Sequence, residues 1–376
     1  MTIPFIDLRS QYEKYKSNID NAISNVLEHG QYIMGPEISE LESQLSSYLG
    51  VKHTLACSSG TDALLLPLMT KSLSSSCAVF TTPFTFFASA ESISLCGAVP
   101  VFTDIEHGTY NMCPEALEKT IQDTIAEGRL TPKGIMAVDL FGLAANFNEI
   151  NRIAKKYDLF VIEDAAQSFG AKYHGSKAGA LGEIGATSFY PAKPLGCYGD
   201  GGAVFTDNTD AYEEMVSLRV HGQATSGNKY DNVRIGLNAR MDTIQAAVLL
   251  EKLKNYEPEL KRRNEVAKLY TSKLKDYVKA PTVPQGQESV WAQYTIQVED
   301  REGLKDHLAK QGVPTAVFYP IPVHLASAYT NLGYAEGDFP VSEAASKRVM
   351  SLPMHPFLDD SVVCKICDVI IEKLDK

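Results

Sequence analysis

The sequence predicts an α/β protein with a large lobe, built on a mainly parallel sheet flanked by helices, and a smaller C-terminal α+β lobe. Short apolar runs alternate with helical patterns between residues 54 and 205, which is typical of crossover connections on a parallel sheet. Beyond residue 241 the pattern changes to long amphipathic helices. A chain of 376 residues also exceeds what one hydrophobic core usually supports. We therefore expect a large domain over residues 1–250 and a small domain over residues 251–376.

The spacing of apolar residues places the elements in order. Two N-terminal helices are predicted over residues 12–28 and 38–49, with a loop at Gly30, Gly35 and Pro36 between them. Strands are predicted at 54–57, 77–81, 99–103, 134–138, 159–162, 186–189 and 203–205, with helices at 62–71, 86–95 and 147–157. In the C-terminal lobe, helices are predicted over 245–256, 257–277, 301–311 and 362–374, and a strand over 291–298 follows the turn-rich segment 280–286.

Charge and cysteine usage restrict the possible partners and the compartment. The net charge is −11, with 35 Lys+Arg against 46 Asp+Glu, whereas nucleic acids and anionic membranes are bound by a dense basic surface. The N-terminal residues lack a basic region followed by an apolar run, and no apolar stretch approaches roughly 18 residues. Cys364 and Cys367 are spaced as two small residues on one helix face, so we expect no metal site. Isolated cysteines elsewhere favour a reducing, cytoplasmic location.

Ligands of open parallel sheets bind beyond the carboxyl ends of the strands, so the residues that follow each apolar run are the candidate site residues. The run Ser58-Ser59-Gly60-Thr61-Asp62-Ala63 leads from a predicted strand into a helix. The first N–H groups of that helix, its dipole and the Thr61 hydroxyl suit a phosphate. The alternative is a helix cap without a ligand.

Another strand ends in two carboxylates, Glu163 and Asp164. Because side chains alternate along a strand, the two point to opposite sides. One of them can face a site at the strand end and keep a heterocyclic nitrogen protonated by charge pairing. The alternative is a capping acid that binds no ligand.

Lys193 lies in a loop of restricted shape, between Pro191 and Pro194 and ahead of four glycines. A desolvated lysine has a lowered pKa, and its neutral amine can attack a carbonyl. Ser188, five residues upstream at a strand end, can bond a phosphate. A plain surface charge is the alternative for Lys193.

A fourth strand end carries Phe84, Phe86 and Phe87. One of these rings can stack on a flat cofactor, although core packing is the commoner role of clustered phenylalanines. A phosphate cradle, a counter-ion for a ring nitrogen, a Schiff-base lysine and a stacking ring together are the set that pyridoxal phosphate requires.

With these residues in place, the sequence resembles the DegT/StrS-type nucleotide-sugar aminotransferases of aminotransferase fold type I. The resemblance covers residues 4–324, nearly the whole chain. The motifs that carry it are Gly60-Thr61-Asp62-Ala63-Leu64, Glu163-Asp164-Ala165-Ala166-Gln167, Ser188-Phe189-Tyr190-Pro191-Ala192-Lys193 and Asn238-Ala239-Arg240-Met241. One segment departs from the family pattern, because this chain has Lys229-Tyr230-Asp231-Asn232 where many relatives carry a histidine.

The resemblance implies a role for each matched residue. Lys193 would form the Schiff base with pyridoxal phosphate and shuttle protons, and Asp164 would face the pyridine nitrogen. The other cofactor contacts would be Gln167 near the 3-hydroxyl, Phe86 on the ring face, Gly60, Thr61 and Ser188 at the phosphate, and Asn238 at the phosphate of the partner subunit in a homodimer. Arg240 is the candidate for gripping a sugar carboxylate, or else serves structure or the amino donor, and His324 is a second candidate contact to substrate.

The implied function is a pyridoxal-phosphate-dependent transfer of an amino group from L-glutamate to a keto sugar nucleotide. The matched motifs most resemble enzymes that aminate C3 of UDP-2-acetamido-2-deoxy-3-oxo-D-glucuronate in surface polysaccharide (O-antigen/LPS) biosynthesis. A 4-aminotransferase of 4-keto-6-deoxy nucleotide sugars is the alternative. A sugar dehydratase of the same fold would carry a histidine in place of Lys193, and an idle regulatory homologue is disfavoured by the intact set of Lys193, Asp164 and Ser188.

Overall fold

The computed structural model describes residues 3–224 and 230–375, so that Lys229 in the departing segment lies outside the described residues. The helices are α1 (Leu8–His29), α2 (Pro36–Leu49), α3 (Gly60–Met69), α4 (Ala88–Leu95), α5 (Pro114–Glu127), α6 (Phe147–Tyr157), α7 (Thr209–Leu218), α8 (Thr243–Leu253), α9 (Tyr256–Leu274), α10 (Arg301–Lys310), α11 (Pro340–Arg348) and α12 (Asp360–Leu374). The strands are β1 (His53–Cys57), β2 (Cys77–Thr81), β3 (Val99–Phe102), β4 (Thr131–Val138), β5 (Phe160–Asp164), β6 (Lys172–Tyr173), β7 (Ser176–Lys177), β8 (Ile184–Ser188), β9 (Gly202–Thr206), β10 (Gln287–Glu288), β11 (Tyr294–Gln297) and β12 (Val349–Leu352).

The main sheet is mainly parallel, as the sequence predicts. Among the described residues its strands lie in the order β1-β9-β8-β5-β4-β2-β3. The neighbouring strands from β8 to β3 are parallel, and β9 runs antiparallel to both β8 and β1. In this register Asp164 at the end of β5 lies opposite Val138 and Ala186. The carboxyl ends of β1, β5 and β8 therefore lie along one edge of the sheet.

Most predicted elements are present with shifted ends. Strand β8 begins two residues before its predicted start and ends at Ser188. Helix α4 begins at Ala88 rather than at residue 86, because Phe86 and Phe87 belong to the turn that precedes it. Helices α5, α7 and α11, strand β12 and the two-residue strands β6, β7 and β10 were not predicted.

Two hydrophobic cores share helix α9. Its N-terminal residues Tyr256 and Leu260 pack with the main sheet and its helices. Its later residues, including Tyr270, pack in a second core with strands β11 and β12 and helix α12. The predicted domain boundary at residue 250 falls inside α8, where Leu250 belongs to the first core. Ile3 belongs to the second core, so this core combines the two ends of the described chain.

Within the described ranges, no helix has the length and apolar character needed to cross a membrane. The same residues contain no group of three or more His, Cys, Asp and Glu side chains placed to hold a metal ion. Cys364 and Cys367 both lie on α12 as free thiols.

Candidate active site

The first strand end forms a cradle for an anion. Helix α3 begins at Gly60, and the side chain of Ser59 caps it by accepting a hydrogen bond of 3.0 Å from the N–H of Asp62. A Cβ atom at Gly60 would lie 2.6 Å from the Cβ of Ser188, so only glycine allows the helix to approach the end of β8 this closely. The first N–H groups of the helix, the half-buried Thr61 and the Ser188 hydroxyl therefore meet at one place.

Asp164 is a buried carboxylate held in a fixed orientation. The Ser89 hydroxyl donates to its Oδ2 at 2.8 Å, and the N–H of Ala166 donates to its Oδ1 at 3.2 Å. Burial raises the pKa of Asp164, while these two hydrogen bonds and the charge of Lys193 act in the opposite direction. The side chain is positioned to pair with a cation at the strand end.

Glu163 points to the other side of the sheet, as strand alternation predicts. Its carboxyl group accepts hydrogen bonds from the N–H groups of Gly179 (2.6 Å), Leu181 (2.7 Å) and Gly182 (3.3 Å). Glu163 thereby fixes the turn before β8. Of the two carboxylates, Asp164 is the one whose charge interacts with that of Lys193.

Lys193 lies in a closed loop after β8. The N–H of Cys197 donates to the carbonyl of Phe189 at 2.8 Å, and the N–H of Lys193 donates to the carbonyl of Tyr190 at 2.8 Å. Burial lowers the pKa of Lys193 to about 8, and the Asp164 charge offsets part of this effect. At pH 8 about half of such amines are neutral, whereas an ordinary lysine is under about 1% neutral. The loop thus provides a nucleophilic amine beside a carboxylate.

The aromatic cluster after β2 divides into core residues and one open ring. Phe84 is fully buried, and Phe87 packs against Tyr329 with ring centroids 5.4 Å apart. Phe86 is 58% exposed, with its ring 6.2 Å from that of Tyr319. Only Phe86 of the three is therefore available to stack on a ligand.

Gln167 connects the site to the C-terminal lobe. Its Oε1 accepts from the N–H of Phe141 at 2.8 Å, and its Nε2 donates to the Tyr319 hydroxyl at 3.1 Å. Burial raises the pKa of Tyr319, so its hydroxyl stays protonated. Tyr319 was not predicted from the sequence, because it reaches the site from 152 residues away and carries no local signal beyond the aromatic pair that it forms with Phe318.

Asn238 and Arg240 lie at a separate opening next to the anion cradle. The Nε of Arg240 donates to the Oδ1 of Asn238 at 2.9 Å, and both side chains line a cavity of about 350 Å³ together with Ser58. The N–H of Ser58 donates to the carbonyl of Ala239 at 3.0 Å. The segment that carries Asn238 is therefore bonded directly to the cradle turn.

The structure does not place His324 at an open site. The side chain is 1% exposed, and its Nε2 lies 3.2 Å from the Oε1 of Glu343. The ring packs against Phe339 with centroids 4.7 Å apart, and burial lowers the pKa of His324. These contacts enclose the imidazole, so a substrate would have to displace them to reach it.

The residues at the sheet edge fit pyridoxal phosphate. A cradle that a Cβ at Gly60 would fill suits the phosphate, the fixed Asp164 suits a protonated ring nitrogen, and the amine of Lys193 suits the aldehyde. The open ring of Phe86 suits the flat face of the cofactor.

Known proteins match this chain from end to end. A relative from Pseudomonas aeruginosa, a UDP-2-acetamido-2-deoxy-3-oxo-D-glucuronate aminotransferase, is 44% identical over 97% of this chain and 98% of its own length. A DegT DnrJ EryC1 StrS aminotransferase from Brucella abortus superimposes with a TM-score of 0.97 at 50% identity, covering 100% of both chains. NtdA from Bacillus subtilis, with bound cofactor PMP, superimposes with a TM-score of 0.91 at 28% identity over 100% of this chain and 86% of its own.

A family model described as the DegT/DnrJ/EryC1/StrS aminotransferase family matches residues 13–371. The match includes the cradle, the two carboxylates of β5, the lysine loop and the Asn238 segment. The resemblance inferred from the sequence motifs is thereby confirmed. On the strength of this match and of the end-to-end relatives, the chain belongs to the DegT/DnrJ/EryC1/StrS aminotransferase family and has the aminotransferase fold type I.

Proposed function

We propose that this protein is a pyridoxal-phosphate-dependent aminotransferase that moves an amino group from L-glutamate to C3 of UDP-2-acetamido-2-deoxy-3-oxo-D-glucuronate, in the biosynthesis of a surface polysaccharide. The observation that carries the chemistry is the Lys193 amine, with its pKa lowered to about 8, beside the fixed carboxylate of Asp164. The substrate assignment is supported by the relative in Pseudomonas aeruginosa, which is named for this keto sugar nucleotide and matches 97% of the chain.

Bound pyridoxal phosphate supplies an aldehyde that bonds to amines and a ring that accepts electron density. In the proposed assignment, Gly60, Thr61 and Ser188 hold the phosphate, and Phe86 covers one ring face. Asp164 holds a proton at the ring nitrogen, and Gln167 lies near the 3-hydroxyl. The Lys193 amine would hold the aldehyde and, when free, would move protons at the reacting carbon atoms.

A sugar with a C6 carboxylate needs a cation in the site, because a desolvated carboxylate without a partner is strongly disfavoured. We propose Arg240 for this role. Its guanidinium can bind a carboxylate through two parallel hydrogen bonds, and its Nε bond to Asn238 keeps the group at the cavity beside the cradle. His324 is enclosed by Glu343 and Phe339, so we do not extend the proposal to it.

The substrate assignment is tested by comparing kcat/KM of wild type and Arg240→Lys on the 3-keto uronate and on a 4-keto-6-deoxy nucleotide sugar. Each is measured at saturating and limiting glutamate, by following 2-oxoglutarate. The wild type should prefer the uronate, and Arg240→Lys should lose roughly 10–100-fold on it alone, because a bidentate charged contact is worth about 1.5–3 kcal/mol.

Two results would contradict this assignment. A wild type that prefers the 4-keto sugar would make the protein a 4-aminotransferase. An equal loss on both sugars that depends on glutamate concentration would assign Arg240 to the amino donor.

We further propose that the protein is a homodimer whose subunits share their active sites. Exposed apolar side chains at Tyr32, Ile33 and Met34 form a surface beside the Asn238 cavity, and Val233 and Ile235, shortly before Asn238 in the chain, are exposed as well. Ile33 both lines that cavity and pairs with Asp242, so the surface is continuous with it. Apolar surface next to an exposed polar contact residue is typical of an interface between subunits.

The active protein should therefore sediment at twice the mass of the 41.2 kDa chain. Asn238→Ala should weaken retention of pyridoxal phosphate roughly 10–100-fold, because a hydrogen bond to a charged group contributes about 1.5–3 kcal/mol. Asn151→Ala, at an exposed asparagine bonded to the carbonyl of Leu181, is the control. A fully active monomer, or unchanged cofactor retention in Asn238→Ala, would contradict the shared site.

A cytoplasmic location is proposed as well. All seven cysteines lie within the described residues, and each is a free thiol. Free thiols are typical of proteins kept in a reducing compartment.

A further inference from the structure

Helix α8 holds the outer side of the Lys193 loop at two points. The Oε1 of Gln245 accepts from the N–H of Tyr198 at 2.8 Å. Seven residues later, the Nζ of Lys252 donates to the carbonyl of Gly196 at 2.6 Å. Residues seven apart lie on the same face of a helix, so α8 presents both side chains to the loop.

Burying the Lys252 amine at this position is energetically unfavourable. The residue is 3% exposed, and its Nζ lies 4.3 Å from the centroid of the Tyr198 ring. Burial lowers the pKa of Lys252 to about 8, while Glu259 and Cys197 act in the opposite direction. The hydrogen-bond acceptor of this amine is a neutral carbonyl rather than a carboxylate, and Glu259 acts on it through its charge alone. A buried ammonium without a close counter-ion costs stability that an apolar side chain of similar length would not.

The carbonyl that Lys252 holds belongs to the turn that carries Lys193. At Gly196 the loop folds back on itself so closely that a Cβ there would lie 2.6 Å from the carbonyl oxygens of both Tyr190 and Pro191. The N–H of Lys193 donates to the same Tyr190 carbonyl at 2.8 Å. A displacement of the Gly196 carbonyl would therefore move the backbone of Lys193.

We propose that Lys252 is a positioning residue for Lys193. The hydrogen bond from Lys252 to the Gly196 carbonyl fixes how deeply the Lys193 amine is buried in the site. The inference rests on the proposed role of Lys193 as the lysine that bonds to the cofactor. Burial is the main cause of the lowered pKa of Lys193. A loosened loop admits water to the amine and returns its pKa toward the ordinary value.

The test uses Lys252→Met, which keeps the length of the side chain and removes its donor. In the full-length protein freed of cofactor, the rate of reductive methylation of Lys193 is measured against pH by peptide mass spectrometry. We expect the pKa of Lys193 to rise by about one unit or more, which slows methylation at pH 8 about fivefold or more. In the cofactor-loaded protein, the pH midpoint of the visible absorption band should move as well.

Lys254→Met is the matched control, since Lys254 is the C-cap residue of the same helix but is exposed and paired with Glu251. It should leave unchanged both the pKa of Lys193 measured by methylation and the pH midpoint of the absorption band. A lower melting temperature of Lys252→Met with an unchanged Lys193 pKa would show a merely structural role and overturn the proposal. If Lys252→Met does not fold, Lys252→Leu also removes the donor, and the same comparison decides.

The proposed roles of Lys193 and Lys252 would be contradicted by different results. Borohydride attachment of cofactor to another lysine in the wild type would remove Lys193 from its proposed function. The methylation profile of the cofactor-free protein would still report whether Lys252 sets the pKa of Lys193.

Discussion

Lys193→Ala should abolish transamination and the borohydride-dependent attachment of cofactor to the chain. The wild type should be yellow, with the visible absorption band expected for a lysine-bound pyridoxal cofactor, and the variant should lack this band. The variant loses both the nucleophile and the proton carrier, so the loss of rate should exceed the roughly 10²–10⁴-fold that general acid–base catalysis alone contributes. Production of 2-oxoglutarate and peptide mass spectrometry after borohydride treatment measure the two effects.

The Lys254→Met variant is the control for this experiment too, because it removes an exposed amine from the same chain. It should keep the absorption band and the activity. Labelling by borohydride that persists at another lysine in Lys193→Ala would contradict the assignment.

Asp164→Ala should retain some cofactor and lose nearly all activity. Loss of an opposite charge next to a titratable nitrogen changes its pKa by roughly 1–3 units, so the protonated fraction of the ring and the rate should fall by roughly 10–10³-fold. Ser89 and the N–H of Ala166 would lose the carboxylate that they now hold. The measurement is kcat in both half-reactions, together with the visible spectrum.

Glu163→Gln separates this electronic role from a structural one. Its carboxyl group accepts from Gly179, Leu181 and Gly182, so the amide should lower the free energy of unfolding by about 1–3 kcal/mol and leave the spectrum unchanged. Near-normal turnover in Asp164→Ala, with a large loss in Glu163→Gln, would reverse the two assignments.

The part of the site that could be predicted from the sequence lies at the strand ends. Gly60, Asp164, Ser188 and Lys193 each follow an apolar run within a few residues, and a parallel sheet brings such positions to one edge. Local sequence was therefore sufficient to group them. Strand alternation also places Asp164 and Glu163 on opposite faces, and the family resemblance is what assigns Asp164 to the ring nitrogen.

The remaining residues depend on packing between distant segments. Nothing near Tyr319 or Lys252 in the sequence indicates that one reaches Gln167 and the other the Lys193 loop. His324 was expected at the substrate, but the fold encloses it with Glu343. Strand β12 was missed because its pairing with β11 joins segments more than fifty residues apart, and a short apolar run does not reveal its partner.

The second hydrophobic core has a consequence for how the chain is synthesised. Ile3 packs in the same core as Ile366 and Ile370, on helix α12. During translation the first of these residues leaves the ribosome hundreds of residues before the last, so this core cannot close until Ile370 has been synthesised. The main sheet, whose strands end at Thr206, can form earlier. A nascent chain would thus carry a folded sheet while residue 3 and the amphipathic helix α9 are still without the residues they pack against. During this interval the exposed apolar surface favours aggregation and binding by chaperones.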